Sequence, residues 1–511
     1  MNLFNRRNFL KSLSVVPLSV ATVSGRRTFF RSKLRHAHVG TPSYSVSPGP
    51  TNFIANVDIT GVNGASLTGA GFEVVPAAGA TSTPISAMYA KTQLLSKGYL
   101  SAATDNATLT LPVFGLYASA ANTVNQVIIT LNYGGVVTTK TVQITTTPWS
   151  DAYLSTPTIT QARASSVPLA YSYFVMKTFN EGFTPAVIDV DGQVRWVGTI
   201  GGSASQASTY FQGAMYVALG TSLWRNDLDG TYTRVADYGS FQVDAATGTV
   251  NYIQHHNIDF GKKGLLLEVN TNLYTESTIL EVDTSGNVLA TFSLSSIISA
   301  AMTAGGDDPS QFVPGPGNGS DWFHNNAAAY WPEQDALIVS CRENFVIAIG
   351  YESKKILWIL GDVQKQWYQF PSLRAFALTP TPGTVTPIGQ HALSVVNNQL
   401  LLFDDGYQSF NHGPSGNSRG FSVPRKYAID PVAMTASDVW SFYSSPPIWS
   451  DICSSVYQVG ETYLVDYAAQ GGGPILMGLG PNNQVAFQYL YGGGFTTGWN
   501  AYPIDLNNTA I

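Results

Sequence analysis

Histidine and arginine residues stand in three short motifs of a chain that has only seven histidines. The motifs cover residues 254–257 (QHHN), 321–324 (DWFH) with 340–342 (SCR), and 389–391 (GQH). Their candidate catalytic residues are His255, His256, His324, Arg342 and His391. An imidazole can serve as nucleophile, acid or base near neutral pH, and a guanidinium offers a rigid fork of donors to paired oxygens. Together in one cleft, these groups suit a small anionic group that is held and transferred.

The three histidine motifs fall at the beginning of apolar, β-prone runs. His256, His324 and His391 would each open the first strand of a successive repeat unit. Arg342 would lie on the strand that follows His324. Because the innermost strands of a β-propeller line its central channel, equivalent positions on successive units should point at one space.

The elements that would position these residues come from a degenerate repeat that begins near residue 165. Each unit has apolar runs, a strand ending in Asp, a Gly or Asn turn and a strand that often ends in Trp, as in 186–196. Six units are recognisable, and the remaining length allows about six blades of about 40–50 residues. The sequence therefore predicts an all-β protein with a six-bladed β-propeller over 165–511, its trailing tryptophans packed between neighbouring sheets.

A small β-sandwich domain is predicted over residues 45–148, ahead of the propeller. Short β-prone runs alternate there with turns, and Gly134-Gly135 predicts a hairpin between two strand-like runs, 126–133 and 136–145. The composition agrees, since only 11% of residues are charged while Gly (48) and Tyr (26) are abundant.

An export leader is predicted over residues 1–38. Arg6 and Arg7 precede Phe-Leu-Lys as in a twin-arginine signal, and the weakly apolar stretch 12–24 is too short and polar for a stable membrane span. The expected location is the periplasm or another exported compartment. Loss of this leader removes eight basic residues and no acid, which changes the formal net charge from −6 to −14. A chain this acidic is a poor candidate for nucleic-acid binding.

Two cysteines, Cys341 and Cys453, exclude a disulfide-scaffolded protein. Two buried thiols are the simpler expectation, and a single bridge stays open. Three long insertions, at 304–320, 377–389 and 404–424, are rich in Gly, Pro and polar residues, and two of them run into a histidine motif. Long irregular loops in a compact fold are often functional, which favours lids over the site against surface decoration.

At these motifs the chain resembles the bacterial PAPS-independent arylsulfate sulfotransferases. The hallmarks of that family are a His-His pair, an Asp-Trp-x-His segment, a Ser-x-Arg about eighteen residues later and a Gly-Gln-His segment. All four positions are present in order, with His324 and Arg342 eighteen residues apart. The resemblance spans nearly the whole mature chain, and it too implies a small β domain followed by a six-bladed propeller.

The resemblance implies an aryl sulfotransferase that moves a sulfuryl group from a phenolic sulfate ester to a phenolic acceptor by a ping-pong mechanism. His391 matches the nucleophile that forms a sulfohistidine. The residues that hold sulfate oxygens and assist the leaving phenol match His256, His324 and Arg342, with His255 as the alternative to His256. No metal, nucleotide or other cofactor is implied. The oligomeric state stays open, a homodimer included.

Three aromatic residues, Trp322, Phe323 and Tyr407, are placed to stack on an aryl ring, although core packing is the simpler use for at least one of them. Three positions depart from the family. Asn257 and Ala392 stand where an acid is common, and Cys341 replaces the usual serine before arginine. A missing carboxylate affects how a histidine is oriented and how basic it is, so rate and acceptor preference are affected before reaction type.

Two other classes of function fit the same motifs. A histidine-ligated metalloenzyme would use imidazoles from several strands, although Arg342 would repel a cation. A non-catalytic ligand-binding propeller would use the histidines as hydrogen-bonding groups, and Arg342 would then form a structural ion pair with Glu343 or another acid. Metal analysis separates the first class from a transferase, and covalent labelling of His391 separates the second.

Overall fold

The structure, a computed structural model, describes residues 41–506. The exceptions within this range are 152–153, 155, 179–184, 201–206, 240–241, 245–247, 250–252, 318 and 493–497. For 242–244 and 248–249 it describes the backbone alone. The predicted leader, 1–38, lies outside the described residues. Strands dominate the chain, so the all-β prediction is confirmed. Within the described residues, no helix has the length and apolar character needed to cross a membrane.

Two sheets and one short helix form the N-terminal part of the described chain. Its elements are β1 (Ser43–Pro48), β2 (Ile54–Val62), β3 (Gly69–Val74), β4 (Ile85–Ala90), α1 (Lys91–Ser96), β5 (Ala107–Phe114), β6 (Thr123–Tyr133) and β7 (Val136–Thr146). One sheet has the order β1-β2-β5 and the other β4-β3-β6-β7, and both contribute to one apolar core. The predicted hairpin is confirmed: Gly134 and Gly135 both have positive φ, and Tyr133 pairs with Val136 across the turn.

Four four-stranded sheets and two five-stranded sheets, with mainly antiparallel pairing, account for most of the rest of the described chain. The first two sheets and a separate hairpin contain β9 (Tyr173–Thr178), β10 (Ala186–Asp189), β11 (Val194–Val197), β12 (Ser208–Phe211), β13 (Ala214–Leu219), β14 (Ser222–Asp227), β15 (Tyr232–Asp237), β16 (Gln242–Asp244) and β17 (Gly248–Thr249), and β8 (Thr158–Gln161) precedes them. The third and fourth sheets contain β18 (Ile253–Phe260), β19 (Leu265–Asn270), β20 (Thr278–Val282), β21 (Val288–Ser293), β22 (Asn325–Trp331), β23 (Ala336–Cys341), β24 (Phe345–Gly350) and β25 (Ile356–Gly361).

The fifth and sixth sheets and the last strand complete the arrangement. Their elements are β26 (Thr379–Pro380), β27 (His391–Val396), β28 (Gln399–Asp404), β29 (Val423–Asp430), β30 (Thr435–Ser441), β31 (Ser455–Val459), β32 (Thr462–Tyr467), β33 (Ile475–Leu479), β34 (Val485–Leu490) and β35 (Gly498–Ile504). β26 joins the edge of the fifth sheet and β8 that of the sixth, while β35 pairs with β9 in the first. The first sheet thus joins early and late parts of the chain.

The first strand of each sheet from the second to the sixth lies at the centre. The strands β12, β18, β22, β27 and β31 contact one another in succession, and β31 also contacts β35. Tyr210 N–H of β12 donates to the Tyr502 hydroxyl of β35 at 2.6 Å, which closes the circle. This meander is a β-propeller topology, with the histidine-bearing strands innermost.

Tryptophans pack between neighbouring sheets, as the sequence predicts. Trp358 of the fourth sheet shares a core with Leu400 and Leu402 of the fifth. Trp440 of the fifth sheet stacks on Tyr463 of the sixth with ring centroids 4.1 Å apart. Apolar contacts of this kind fix one sheet against the next and therefore fix the central strands.

Helices occur mainly in the connections around the fourth sheet. They are α2 (Leu294–Ala304), α3 (Pro371–Arg374) and short 3-10 turns at Pro309–Gln311, Pro332–Gln334, Gln366–Gln369 and Pro481–Asn483. Within the predicted insertion 304–320, Phe312 packs against Trp322 and Phe345, so part of this insertion belongs to the core.

Candidate active site

Left-handed backbone conformations recur near the start of four successive central strands. His256, His324, Ala392 and Cys453 have φ of 43°, 54°, 51° and 68°. Such values are uncommon for residues other than glycine and often mark functional sites. In the third, fourth and fifth sheets they coincide with breaks in strand register next to the histidine motifs.

Three histidines form a continuous chain of contacts, which we call the histidine chain (His255, His256 and His324). Nδ1 of His255 lies 2.6 Å from Nδ1 of His256, and Nε2 of His256 lies 3.2 Å from Nε2 of His324. His256 therefore faces His324, and His255 lies behind it. Nδ1 of His324 lies 2.6 Å from Asp321 Oδ2 and 3.0 Å from Glu276 Oε2.

The histidine chain holds its members in different charge states. Burial lowers the pKa of His255 to about 3 and that of His256 well below its usual range. Burial also acts to lower the pKa of His324, but the carboxylates of Asp321 and Glu276 outweigh it and raise that pKa to about 9. His324 is therefore the cationic member near neutral pH.

His391 is held by a separate set of partners. Its Nδ1 lies 2.7 Å from Asp405 Oδ2 and 3.0 Å from the Gly389 carbonyl, and the Cys453 N–H donates to its Nε2 at 3.3 Å. A carbonyl only accepts and a backbone N–H only donates. These contacts assign the proton of neutral His391 to Nδ1 and the lone pair to Nε2.

The electrostatic surroundings keep the His391 imidazole neutral. Burial, together with nearby Arg342 and His324, lowers the pKa of His391 well below its usual range. Burial raises the pKa of Asp405 well above its usual range, and its Oδ2 is positioned to accept the Nδ1 proton of His391. The result is a buried imidazole with its lone pair on the side away from the carboxylate.

Arg342 follows the last residue of β23 and is almost fully buried, with 1% exposure. Its Nη1 donates to Glu343 Oε1 at 2.8 Å, so the ion pair considered from the sequence is present. Among the described residues, Nε and Nη2 have no hydrogen-bond partner. Such buried donors are costly, and an Nε–Nη2 edge matches two oxygens of one oxyanion.

Part of the predicted lid 404–424 covers Arg342 and connects its surroundings to those of His324. The Phe410 ring lies 3.6 Å from Arg342 Cζ. Backbone N–H groups of Phe410 and Asn411 donate to the two Glu343 carboxylate oxygens at 3.3 and 2.8 Å. Asn411 Nδ2 also donates to Asp321 Oδ2 at 3.2 Å, so this segment contacts the acids beside Arg342 and beside His324.

The aromatic residues predicted for substrate binding fall into two groups. Tyr407 lies on the lid, 5.8 Å from Arg342 Cζ, and its ring contacts Phe410. Trp322 and Phe323 are buried in the core, where they pack against each other. Their rings lie within the apolar cluster, so these two residues anchor the 321–324 segment to the core instead of lining the cleft.

Side-chain amides connect the central strands behind the histidines. Lys177 Nζ donates to Asn257 Oδ1 at 2.8 Å, Asn257 Nδ2 to the Asn326 carbonyl at 2.7 Å, and Asn326 Nδ2 to the Gln390 carbonyl at 2.9 Å. Gln390 Nε2 continues to the Cys341 carbonyl at 2.9 Å. Asn257, which departs from the family, is thus a connecting residue between sheets. Cys341 and Cys453 are buried and not bridged.

Several site residues carry no role in the sequence interpretation: Glu276, Asp321, Asp405 and Phe410. Asp405 has the clearest available signal, because an Asp-Asp pair ends the apolar run 400–403 that follows the His391 strand. Glu276 has none, since it belongs to the connection between β19 and β20. Two groups of described residues have ligand atoms within 4.8 Å of one another and could hold a metal ion: His255, His256 and Glu268, and His256, Glu276 and His324.

The central strands of this all-β propeller bring the imidazoles together, and Arg342 follows β23 beside them, with two of its guanidinium nitrogens unpaired among the described residues. The chain belongs to the arylsulfotransferase (ASST) family, whose model matches residues 158–478. All residues predicted for the site lie within this match. The family resemblance predicted from the sequence is confirmed.

Curated relatives named arylsulfate sulfotransferase AssT match part of the chain. The protein of Escherichia coli O6:H1 (strain CFT073) is 25% identical over 241 residues, which cover 37% of this chain and 40% of the relative. That of Lelliottia amnigena is 25% identical over 226 residues, which cover 36% and 37%. The chain thus spans about two fifths of the length of these relatives.

Solved structures that match the chain do so with low TM-scores and low sequence identity. BamB from Moraxella catarrhalis has a TM-score of 0.27 at 10% identity, covering 74% of this chain and 88% of that one. The WD40 domain of coronin from Toxoplasma gondii has a TM-score of 0.31 at 10% identity, covering 70% and 74%.

Proposed function

We propose that this protein is an aryl sulfotransferase that moves a sulfuryl group from a phenolic sulfate ester to a phenol through a sulfohistidine on His391. The observation that carries the proposal is the pairing of a neutral imidazole, protonated on Nδ1, with a buried arginine whose Nε–Nη2 edge is free of partners among the described residues. The first supplies a nitrogen nucleophile and the second binds two sulfuryl oxygens.

In the first half-reaction, the His391 Nε2 lone pair attacks sulfur as the bond between sulfur and the phenolic oxygen breaks. The Nε2–sulfur bond forms, and the phenoxide leaves with a proton from His324. The ring of the intermediate carries positive charge while the sulfuryl group stays anionic. Asp405 stabilises that ring through Nδ1–H.

Attack at sulfur replaces the long hydrogen bond between Cys453 N–H and His391 Nε2. The freed N–H can then donate to a sulfuryl oxygen, beside the two donors of Arg342. Donors fixed in a water-poor site stabilise developing charge strongly, because they need no reorganisation during the reaction.

In the second half-reaction, the acceptor phenol attacks the sulfuryl group and its proton returns to His324. The nitrogen–sulfur bond breaks, and its electron pair restores neutral His391. Contact with substrate requires the His256–His324 contact to open, because both nitrogens of each ring have partners in this structure. His256 then binds substrate oxygen or orients His324.

The lid decides between a phenol and water as acceptor. Phe410 and Tyr407 present aromatic surface beside Arg342, and Glu343 holds the backbone of this segment. Aromatic rings favour an aryl acceptor and exclude water, whose attack on the sulfohistidine would give a sulfatase.

The test of the reaction class uses 4-nitrophenyl sulfate with and without phenol. Release of 4-nitrophenolate that depends on phenol, with phenyl sulfate as the second product, supports transfer. Equal release without phenol contradicts transfer and indicates a sulfatase. Absence of release and of phenyl sulfate contradicts the aryl sulfate donor and favours a ligand-binding propeller.

We also propose export of the chain to the periplasm through residues 1–38. The twin arginines Arg6 and Arg7 support this assignment. Export of the full-length chain should fail when both are replaced by lysine, and cell fractionation measures it. An unchanged periplasmic fraction for that variant would contradict the twin-arginine route.

A further inference from the structure

Asn411 is an exposed residue of the lid whose donors face the acids of the site. Its side-chain Nδ2 donates to the carbonyl of Asp321 at 2.8 Å and to Oδ2 of the same residue at 3.2 Å. Its backbone N–H donates to Glu343 Oε2 at 2.8 Å. Since an exposed asparagine can satisfy its donors with water, these contacts with two acids of the site define a specific place for the residue.

The Asp321 carboxylate depends on Asn411 for its orientation. Its Oδ2 lies 2.6 Å from His324 Nδ1 and accepts from Asn411, whereas its Oδ1 has no hydrogen-bond partner among the described residues. In the described part of the chain, Asn411 is thus the one donor to this carboxylate apart from His324 itself. A carboxylate with one unpaired oxygen can rotate away from an imidazole, and a second donor on the other oxygen opposes that rotation.

Asn411 is itself held in place from both sides. The buried Glu343 carboxylate accepts the Asn411 N–H on one oxygen and, at 2.8 Å, Arg342 Nη1 on the other. The next residue of the lid, His412, donates from Nε2 to the Trp322 carbonyl. The place of Asn411 is therefore fixed by contacts other than those with the carboxylate that it orients.

We propose that Asn411 is a positioning residue whose amide fixes Asp321 on His324 while His324 gives its Nε2 proton to the leaving phenoxide. The ring then becomes neutral and keeps its proton on Nδ1. The effect on transfer rests on the proposed function, whereas the contact itself does not. Because Glu343 joins Asn411 to Arg342, one lid residue aligns the group that gives the proton with the group that holds the sulfuryl oxygens.

The kinetic test compares two sulfate donors in Asn411→Ala. Loss of proton donation slows the departure of a basic phenoxide more than that of a weakly basic one. We expect kcat/KM to fall about tenfold or more for 4-methylphenyl sulfate and about threefold or less for 4-nitrophenyl sulfate. Asn417→Ala is the matched control and should change neither value, because this lid asparagine donates to Gln364 Oε1, at 2.8 Å, instead of to an acid of the site. An equal loss with both donors, or no loss with either, overturns the positioning role.

Proton NMR gives a second readout that does not depend on turnover. His324 Nδ1 lies 2.6 Å from Asp321, and His391 Nδ1 lies 2.7 Å from Asp405. An imidazole N–H in so short a contact with a carboxylate should give a resonance far downfield, and His324→Asn and His391→Asn assign the two resonances.

In Asn411→Ala only the His324 resonance should shift or disappear through exchange with water, so the His391 resonance is the control within the same spectrum. An unchanged His324 resonance, or a change of both resonances, overturns the proposal. A selective change in a protein that turns over neither donor supports the contact and contradicts the transferase.

Discussion

The site has two halves, one around His391 and one around His324, and the two halves hold their histidine in opposite charge states. In one half, His391 contacts a carboxylate and a carbonyl through Nδ1 and keeps its lone pair on Nε2. In the other, His324 lies between the neutral imidazole of His256 and two carboxylates, Asp321 and Glu276. These carboxylates raise the pKa of His324 to about 9. Burial opposes the charged imidazole in both halves. The difference lies in the balance of neighbouring charges: two carboxylates raise the pKa of His324, whereas burial and the cations Arg342 and His324 lower that of His391.

The largest effect is expected from His391→Asn, which removes the nucleophile from its half of the site. Transfer from 4-nitrophenyl sulfate should fall to the rate without enzyme, because the covalent route is lost. Activity and urea unfolding should be measured together, since the fold should persist. Wild-type turnover in this variant would remove His391 from the mechanism.

The second largest effect is expected from Arg342→Ala, which should lower kcat/KM by about 10²–10³-fold. One lost donor to a developing anion typically costs about 3–4 kcal/mol. Arg342→Lys is the matched control: it keeps the charge beside Glu343 but lacks the planar edge, so most of the loss should remain. A change below threefold in both variants would refute the sulfuryl-binding role.

Asp405→Asn tests whether the Asp405 side chain assists His391 as the nucleophile. We expect kcat to fall about 10²-fold, because the amide removes the negative charge beside the sulfohistidine ring. Single-turnover kinetics should show slow formation of the intermediate with little change in substrate affinity. An unchanged rate of formation would mean that the Gly389 carbonyl alone holds Nδ1–H.

The pH profile tests the acidic half. The His324 pKa of about 9 makes the protonated form active below that pH. Therefore kcat/KM should decline about tenfold per unit as pH rises above 9. In Asp321→Asn the decline should begin at lower pH, since one of the carboxylates that raise the pKa is lost. A decline at the same pH in the variant would exclude His324 as the acid.

The smallest effect is expected from Phe410→Ala on the lid. Loss of one aromatic contact of about 0.5–1.5 kcal/mol should raise KM for phenol about two- to tenfold. Phe421→Ala is the control in the same segment, because Phe421 contacts Tyr443 instead of Arg342. Equal effects of the two substitutions would show a general disturbance of the segment.

Periodic patterns make the all-β fold and the placement of the motif histidines at central strands predictable from the sequence. The Asp-turn-Trp repeat predicts successive meandering sheets, and the motifs place His256, His324 and His391 at the central strands. The carboxylates that set the charges are harder to predict. Glu276 reaches the histidines from a connection, and Asp405 approaches His391 from the end of the neighbouring strand, so no fixed spacing within a motif reveals either contact.

The aromatic residues show a second limit. Trp322 and Phe323 adjoin His324 in the sequence, yet both face the core, while Phe410 reaches Arg342 from a distant segment. Neighbours in sequence alternate between faces near a strand start, and the left-handed backbone at His324 changes that alternation. The direction of a side chain there depends on the local backbone and cannot be taken from spacing alone.

The central claim, a sulfuryl group carried by His391, is tested most directly by trapping the intermediate. The protein should be mixed with 4-nitrophenyl sulfate without an acceptor, quenched in alkali and digested for mass spectrometry. The account predicts one added sulfuryl group on the peptide containing His391, lost when phenol is supplied and absent in His391→Asn. A stable sulfuryl group on another residue, or turnover without any labelled peptide, would contradict it.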